Sequence, residues 1–375
     1  MRIGANYIPS KNWLYFWQDF DEKRVMSDLE TIKSLGCDHI RAHLLWSMFQ
    51  PNGNYMSGHC LNNLKKFVTL CEDSGIDFFL SLFTGWMSGF TFLPSWVRHG
   101  IKNVRELTRN EDYINAEKFY IKNIAEVVSH SRAFLGFDLG NELTCFLADC
   151  PEYCDEWARI MFGECEKYAP GKLHNNGVDH QPWFADKGFS RESLVNDGAV
   201  TALHCWTKFT GAMDRNGVLG TDSINIALYM AALAQSYAGK DKTRMMWVQK
   251  FGIARTWENT LYGRTEFMDK TFEAMTHIEN LWGVTWWYSH DIARSMHGFG
   301  ELEYDLGLID SDNNVKPEGK RFAELASKYG NMPAADNSDA PKIKVCFDGG
   351  KINVDANMRA YMDKVNQGVY PEFVL

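Results

Sequence analysis

Short apolar runs alternate with longer amphipathic segments along the first 330 residues of the chain. Apolar runs that alternate with helical patterns in this way are typical of parallel strands joined by crossover helices. We predict eight strands, at Arg2–Asn6, His39–Trp46, Asp77–Phe83, Phe134–Gly140, Lys172–Asn175, Val200–Cys205, Met245–Phe251 and Gly283–Tyr288. Predicted helices between them include Asp21–Leu35, Leu61–Ser74, Tyr113–His130, Glu152–Tyr168, Ser223–Ala238 and Glu266–Leu281.

Eight strand–helix units without an internal linker predict an α/β fold that closes on itself, a (β/α)8 TIM barrel. The competing arrangement is an open doubly wound sheet, which carries a glycine-rich phosphate loop after its first strand. The segment Gly4–Pro9, which follows the start of the first predicted strand, contains no such loop. The length of 375 residues also suits one barrel of about 250 residues or more with additions.

The composition changes after residue 330. Residues 331–341 are rich in Asn, Asp, Ala and Pro, which is typical of a linker. Beyond them, alternating apolar and polar residues flank Asp348-Gly349-Gly350, which predicts a β-hairpin. We therefore predict a barrel over residues 1–330, a linker over 331–341, and a small C-terminal β appendage over 342–375 that packs on the barrel.

The composition and the charge narrow the class of protein. Hydrophobic residues make up 45% of the chain and charged residues 23%, as in ordinary soluble globular proteins. The net charge of −9 repels phosphate backbones and anionic lipids, so we expect neither nucleic acid nor a membrane as a partner. Nine cysteines at irregular spacing favour free thiols, and Met1–Tyr7 shows no signal-peptide pattern. We expect a cytoplasmic location.

Aromatic residues are plentiful, with 24 Phe, 15 Tyr and 13 Trp. Barrel enzymes carry their chemistry at the carboxyl ends of the strands. Five tryptophans fall at or close to predicted strand ends: Trp46, Trp86, Trp206, Trp286 and Trp287. Aromatic faces beside polar side chains suit flat ligands with an apolar face and polar edges, such as sugars. The alternative is that a large core simply uses many tryptophans.

The segment Phe137-Asp-Leu-Gly-Asn-Glu142 brings an amide and then a carboxylate to that end of the barrel. A carboxyl group there can protonate a leaving oxygen while the Asn binds a substrate hydroxyl. The alternative is that Glu142 only pairs with a cation such as Arg41. The histidines form no metal-ligand spacing, and no phosphate loop or nucleophile elbow is present, so we predict no metal and no cofactor.

Six pieces of the sequence carry a family resemblance: Gly4-Ala-Asn-Tyr-Ile-Pro-Ser, Ile40-Arg-Ala-His-Leu-Leu-Trp with Gln50-Pro-Asn, Phe92-Leu-Pro-Ser-Trp96, Leu139-Gly-Asn-Glu142, His204, and Thr285-Trp-Trp-Tyr-Ser-His-Asp291. Together they resemble the retaining glycoside hydrolases of family 5, and within that family a branch containing exo-acting β-mannosidases. The resemblance covers roughly residues 1–330. It implies the barrel fold and activity on short β-linked oligosaccharides.

The resemblance also implies roles for single residues. Glu142 would be the general acid/base, and Asn141 would hold the 2-hydroxyl of the sugar. Arg41 would orient the nucleophile, and Trp286 would form the platform beneath the sugar next to the scissile bond.

Further candidate residues follow the sixth and the eighth predicted strands, and one position there departs from the family pattern. His204 matches the His of a His-x-Tyr motif, but Trp206 stands where the Tyr would be, which removes a hydroxyl group. His290 and Asp291 follow the last predicted strand, where we expect them to hydrogen-bond sugar hydroxyls.

The largest departure from the family pattern lies on the seventh predicted strand. The family carries a Gln-Glu-aromatic-Gly motif there, and the Glu is the nucleophile, whereas Val248-Gln-Lys-Phe-Gly252 puts Lys250 in that place. A retaining mechanism needs two carboxyl groups about 5–5.5 Å apart, and an amine cannot form the glycosyl ester. An ammonium group near Glu142 would also favour the ionised form of that acid.

Three interpretations of Lys250 stay open: a relative that has lost hydrolysis, a variant with a replaced nucleophile, or takeover of the role by Glu258 or Asp291. Lysine-dependent lyase chemistry ranks below these, because a neighbouring carboxylate keeps an amine charged. We expect a family 5-like protein that acts on or binds β-mannosides, with hydrolysis impaired by Lys250. The alternative is a carbohydrate-binding protein without turnover on the same scaffold.

Overall fold

Seven parallel strands form the curved wall of the computed structural model, which describes residues 1–97, 105–147, 150–239, 243–330, 332–333, 335 and 340–375. Around the wall the strands follow the order Phe134–Gly140, Asp77–Thr84, His39–Leu45, Arg2–Asn6, Leu281–Trp286, Met246–Phe251 and Thr201–His204. All neighbouring pairs are parallel, as strands joined by crossover helices must be. The predicted barrel class is confirmed, and these strands match seven of the predicted eight with small differences at their ends.

The remaining predicted strand, Lys172–Asn175, is not a regular strand, but its backbone closes the gap in the wall. The amide of Leu173 donates to the carbonyl of Leu135 at 2.8 Å, and the amide of Asn175 donates to that of Phe137 at 2.9 Å. On the other side, the amide of Ala199 donates to the carbonyl of His174 at 2.8 Å. This short segment makes too few ladder bonds for a strand, yet it completes the circuit of eight.

Helices cover the outside of the wall, and their ends follow local signals. The side chain of Asp21 accepts hydrogen bonds from the amides of Lys23 and Arg24 and so caps the first long helix. Gly75 ends another helix with a φ of 67°, which favours glycine. The α-helices are Glu22–Ser34, Trp46–Phe49, Gly58–Ser74, Glu106–Arg109, Glu111–Val128, Pro151–Tyr168, Gln181–Ala185, Arg191–Asn196, Ala212–Asn216, Thr221–Ile224, Ile226–Tyr237, Leu261–Met275, Pro317–Tyr329 and Val354–Val365. Short 3-10 helices lie at Trp13–Trp17, Leu143–Cys145 and Glu301–Tyr304.

The C-terminal appendage combines the predicted hairpin with a helix that the pattern did not indicate. Strands Phe347–Asp348 and Lys351–Ile352 pair antiparallel around the two glycines. Lys342–Lys344 and Glu372–Val374 add a second, parallel pair. The helix Val354–Val365 lies between them. Most of the predicted linker 331–341 lies outside the described residues.

Aromatic packing joins the appendage to the barrel. Tyr229, on the barrel helix Ile226–Tyr237, contacts the rings of Tyr361 and Phe373 edge-on, each at 5.7 Å between centroids. Tyr361 and Phe373 in turn stack on each other at 5.3 Å. These three rings fix the appendage to the outside of the barrel.

The two ends of the barrel interior differ in character. Towards the amino ends of the strands, Phe79 and Trp247 stack at 4.3 Å, and the indole of Trp247 donates to Thr285 at 2.7 Å. Towards the carboxyl ends, the interior contains buried polar groups such as Arg41 and Asp138. The small strands Trp86–Met87 and Phe90–Thr91 form a hairpin at that polar end. Among the described residues, no helix is both long and apolar enough to cross a membrane.

Candidate active site

A cleft of about 360 Å³ lies at the carboxyl ends of the barrel strands. The loops that follow the strands form its walls, as in barrel enzymes generally. The side chains that line it include Trp86, Glu142, Trp206, Lys250, Trp287 and Glu303. The cleft therefore combines indole rings with charged groups.

Glu142 reaches the cleft because the chain turns sharply after the strand Phe134–Gly140. Its backbone is left-handed, with a φ of 54°, and its amide donates to the carbonyl of Gly177 at 2.8 Å. This turn directs the carboxylate into the cleft instead of onward along the strand. Non-glycine residues in this region of φ are uncommon and concentrate at functional sites.

Lys250 meets Glu142 directly. The Nζ atom of Lys250 donates to Oε1 of Glu142 at 3.0 Å and lies 3.7 Å from the centroid of the Trp287 ring. The side chain of Lys250 is only 2% exposed, whereas that of Glu142 is 19% exposed. The ammonium group thus covers one face of an indole in the cleft and binds the carboxylate beside it.

Lys250 and Glu142 each shift the pKa of the other. Burial alone would raise the pKa of Glu142, but the charge of Lys250 and the hydrogen bond with His204 outweigh it and hold that pKa well below its ordinary value. Burial lowers the pKa of Lys250, although the charge of Glu142 opposes the shift. Glu142 is therefore ionised at neutral pH, whereas a general acid needs a raised pKa.

His204 supports Glu142 from the strand Thr201–His204. Its Nδ1 lies 3.3 Å from Oε1 of Glu142, and its Nε2 lies 2.8 Å from Oε1 of Gln249. Burial and the charge of Lys250 lower the pKa of His204 to about 4, so its imidazole is neutral at pH 7.

A second ion pair lies beneath the cleft. The Nε atom of Arg41 donates to Asp138 at 2.6 Å, and Nη1 donates to Asn6 at 3.1 Å and to Asn141 at 3.3 Å. Asn141 is fully buried and donates to the carbonyl of Trp86 at 3.0 Å. Arg41 and Asn141 therefore lie next to the site but are already hydrogen-bonded within the protein.

Several residues that the sequence placed at the cleft lie elsewhere. The Trp46 ring packs edge-on against Phe83 at 4.9 Å, and its indole donates to Gln50 at 2.7 Å. The Trp286 ring packs against Phe251 at 5.1 Å, with its indole donating to the carbonyl of Leu306. The wall tryptophan after the last strand is instead Trp287, because the strand ends at Trp286 and side chains alternate along it.

His290 and Asp291 also have partners away from the cleft. His290 is fully buried, and its Nε2 lies 2.9 Å from Oδ1 of Asn313. Asp291 accepts a hydrogen bond from Nζ of Lys316 at 2.9 Å, and burial raises its pKa to about 6. Neither residue is placed to bind a ligand in the cleft.

Neither Glu258 nor Asp291, the two acids considered as substitute nucleophiles, lines the cleft beside Glu142. Glu258 accepts hydrogen bonds from its own loop at Thr260 and does not line the cleft. Two other acids do line it, Asp179 and Glu303. Glu303 lies 17 residues past the strand end at Trp286, so no strand-end signal in the sequence points to it. Asp179 lies four residues past Asn175, close to the end of a predicted strand, but no motif there singles it out.

The fold and the cleft are together those of the barrel glycoside hydrolases, whose chemistry uses carboxyl groups at the strand ends. A GH5_18 variant from Streptomyces cattleya, solved in complex with Manb1-4GlcNAc, is 32% identical, with a TM-score of 0.93 and coverage of 100% of this chain and 94% of that chain. A GH5_18 variant from Bifidobacterium longum subsp. longum, in complex with the same disaccharide, is 29% identical, with a TM-score of 0.90 and coverage of 100% and 90%. The chain belongs to glycoside hydrolase family 5, a family of O-glycosyl hydrolases.

The match to a relative found by sequence covers less of the chain than the structural matches do. Cellodextrinase A of Ruminococcus flavefaciens is 28% identical over 196 residues, which are 49% of this chain and 52% of the cellodextrinase. The chain thus spans about half the length of that relative. No family model matches the sequence.

Proposed function

We propose that this protein binds short β-linked mannosides such as Manβ1-4GlcNAc in its cleft, and that Lys250 makes their hydrolysis very slow. The observation that carries the proposal is the 3.0 Å contact between Nζ of Lys250 and the carboxylate of Glu142. A retaining glycosidase needs a second carboxylate in reach of the anomeric carbon, and the strand Met246–Phe251 supplies an amine at that place.

The choice of ligand rests on relatives and on the cleft. Two GH5_18 structures hold Manb1-4GlcNAc, and one of them is 32% identical to this chain along its whole length. Indole rings of Trp86, Trp206 and Trp287 supply the apolar faces on which sugar rings pack. In this proposal Glu142 is the acid/base, and Arg41 and Asn141 hold the floor of the site in place.

Lys250 impairs both halves of the mechanism. Its amine cannot form the glycosyl ester, so no covalent intermediate arises at that position. Its charge keeps Glu142 ionised, so this carboxyl group has no proton to give to the leaving oxygen. Binding without turnover is the limiting case, favoured by the closeness of the pair. The nine irregularly spaced cysteines support a reducing, cytoplasmic setting for this activity.

The test is the hydrolysis of an aryl β-mannoside by the natural chain, Lys250→Glu and Lys250→Gln. We expect Lys250→Glu to raise kcat/KM on the order of 10³-fold or more, because it restores a carboxylate to the strand end. Lys250→Gln removes the charge without adding a nucleophile, so it should stay slow. Lys208→Glu, at a partly exposed lysine paired with Asp214, controls for a general change of charge.

Two results would overturn the proposal. Equal rates for the natural chain and Lys250→Glu would show that another residue attacks the sugar. Absence of heat on titration of Manβ1-4GlcNAc into the natural chain would remove the ligand assignment. In the Lys250→Glu background, Glu142→Gln should abolish turnover of substrates with poor leaving groups, since these depend most on the acid.

A further inference from the structure

Glu303 is a carboxylate in the cleft that the proposed reaction does not use. It lines the cleft from the short helix Glu301–Tyr304, which follows the last barrel strand. One of its oxygens, Oε2, accepts a hydrogen bond from the hydroxyl of Ser88 at 2.9 Å. Within the described ranges of the chain, its other oxygen has no hydrogen-bond partner.

The loop that carries Glu303 is braced from several sides. Arg294 donates to Glu301 at 2.7 Å and to Asp305 at 2.9 Å, so one guanidinium clamps the residues on both sides of Glu303. The hydroxyl of Tyr288 donates to the backbone carbonyl of Glu303. With its backbone held in this way and its carboxylate held by Ser88, Glu303 loses little further freedom when it binds a ligand, which favours recognition.

The other described cleft acids, Asp179 and Glu142, already have partners within the protein. Asp179 accepts hydrogen bonds from the amide of Gln181 at 2.7 Å and from the hydroxyl of Thr144, so it caps the short helix that follows. Glu142 has Lys250 and His204 on its Oε1, and its charge is balanced by the ammonium. Among the described cleft acids, Glu303 thus combines a free acceptor oxygen with no cation bound to it.

The charges around the cleft favour the same role. The ammonium of Lys250 is paired with Glu142, and no cation among the described residues forms an ion pair with Glu303 itself. Burial raises the pKa of Glu303, although the hydrogen bond from Ser88 and the charge of Lys250 oppose the shift. A buried carboxylate in this position gains from each hydroxyl donor that replaces lost water.

We propose that Glu303 is a specificity-determining residue, whose free carboxylate oxygen accepts a hydrogen bond from a ring hydroxyl of the bound mannoside. This inference rests on the proposed function, because it assigns a second contact to the same sugar. Ser88 holds the carboxylate in position from the hairpin Trp86–Thr91, so the contact joins the two walls of the cleft.

The test is calorimetric titration of methyl β-mannoside and its 2-, 3-, 4- and 6-deoxy analogues into the natural chain and Glu303→Gln. Glutamine keeps the shape and the acceptor for Ser88 but removes the charge. We expect Glu303→Gln to bind methyl β-mannoside about tenfold or more weakly, the loss typical of a charged hydrogen bond. One deoxy analogue should bind weakly to the natural chain and lose little further affinity in Glu303→Gln.

That coupling separates a contact from a merely structural role, which would weaken all analogues equally. Glu324→Gln, on the outer helix Pro317–Tyr329, is the matched control and should bind like the natural chain. Equal affinity of the natural chain and Glu303→Gln for methyl β-mannoside, or a uniform loss across all the analogues, overturns this inference alone. No binding of any mannoside by the natural chain overturns the proposed function and this inference with it.

Discussion

Two carboxylate–cation pairs lie at the carboxyl ends of the barrel strands, and they are built in opposite ways. Arg41 and Asp138 are both fully buried. The guanidinium also donates to Asn6, to Asn141 and to the carbonyl of Gly140, at distances between 3.1 and 3.3 Å. Every nitrogen of Arg41 therefore has an acceptor that belongs to the protein.

The second pair, Lys250 with Glu142, faces the cleft. The described contacts of the ammonium are one carboxylate oxygen and the face of Trp287. The carboxylate keeps 19% of its surface exposed, so water or a ligand can reach it. Saturated buried networks hold a fold in one arrangement, whereas incompletely satisfied groups at a cleft are free to bind. The first pair thus belongs to the scaffold, and in the proposed function the second belongs to the chemistry.

The largest expected effect on stability comes from breaking the scaffold pair. Arg41→Met leaves Asp138 buried without its cation, so we expect the free energy of unfolding to fall by about 3–5 kcal/mol. Chemical denaturation measures this change. Arg321→Met, at a surface arginine paired with Asp269, should cost less than about 1 kcal/mol. A similar small loss for Arg41→Met would show that the buried pair is not needed for the fold.

A smaller effect should appear in the pH dependence of stability. The pKa of His204 is about 4 in the folded protein, below the value of about 6.5 for an unfolded chain. Between these values the unfolded chain binds the proton more tightly, so stability falls as the pH drops from about 6.5 to about 4.

The shift corresponds to roughly 3 kcal/mol. His204→Asn should lack this part of the pH dependence, while above pH 7 the two curves should run parallel. Denaturation midpoints at pH 7.5, 5.5 and 4.5 test the prediction. Parallel curves across the whole pH range would mean that His204 binds a proton equally tightly in the folded and the unfolded chain.

Most of the barrel could be predicted from the sequence, because each strand is an apolar run with its own helix behind it. The segment Lys172–Asn175 departs from the prediction, since it is too short to form a regular ladder. The helix Val354–Val365 was not predicted, because the hairpin pattern before it indicated an all-β appendage. The apolar face of this helix includes Met358 and Tyr361 and is buried against the barrel. The short C-terminal sequence does not specify that packing surface.

Residues of the candidate site could be predicted where they lie directly at the end of a strand. Glu142 and Lys250 both do, and the structure brings them into contact. Trp286 was placed one residue off, and because side chains alternate along a strand, one residue moves a ring from the cleft into the core. Glu303 depends on the path of a long loop, which the sequence pattern does not specify.

The smallest expected effect belongs to the cleft pair and completes the comparison. Lys250→Met removes a buried ammonium together with its cost of desolvation, and the methionine fills much of the same space against Trp287. Glu142 keeps His204 as a neighbour and gains access to water through the cleft. We therefore expect the free energy of unfolding to fall by about 1–2 kcal/mol, less than for Arg41→Met in the same denaturation experiment, because the carboxylate left behind can reach water. A loss of about 3 kcal/mol or more would place Lys250 in the scaffold beside Arg41, and its presence would then reflect folding instead of the loss of a nucleophile.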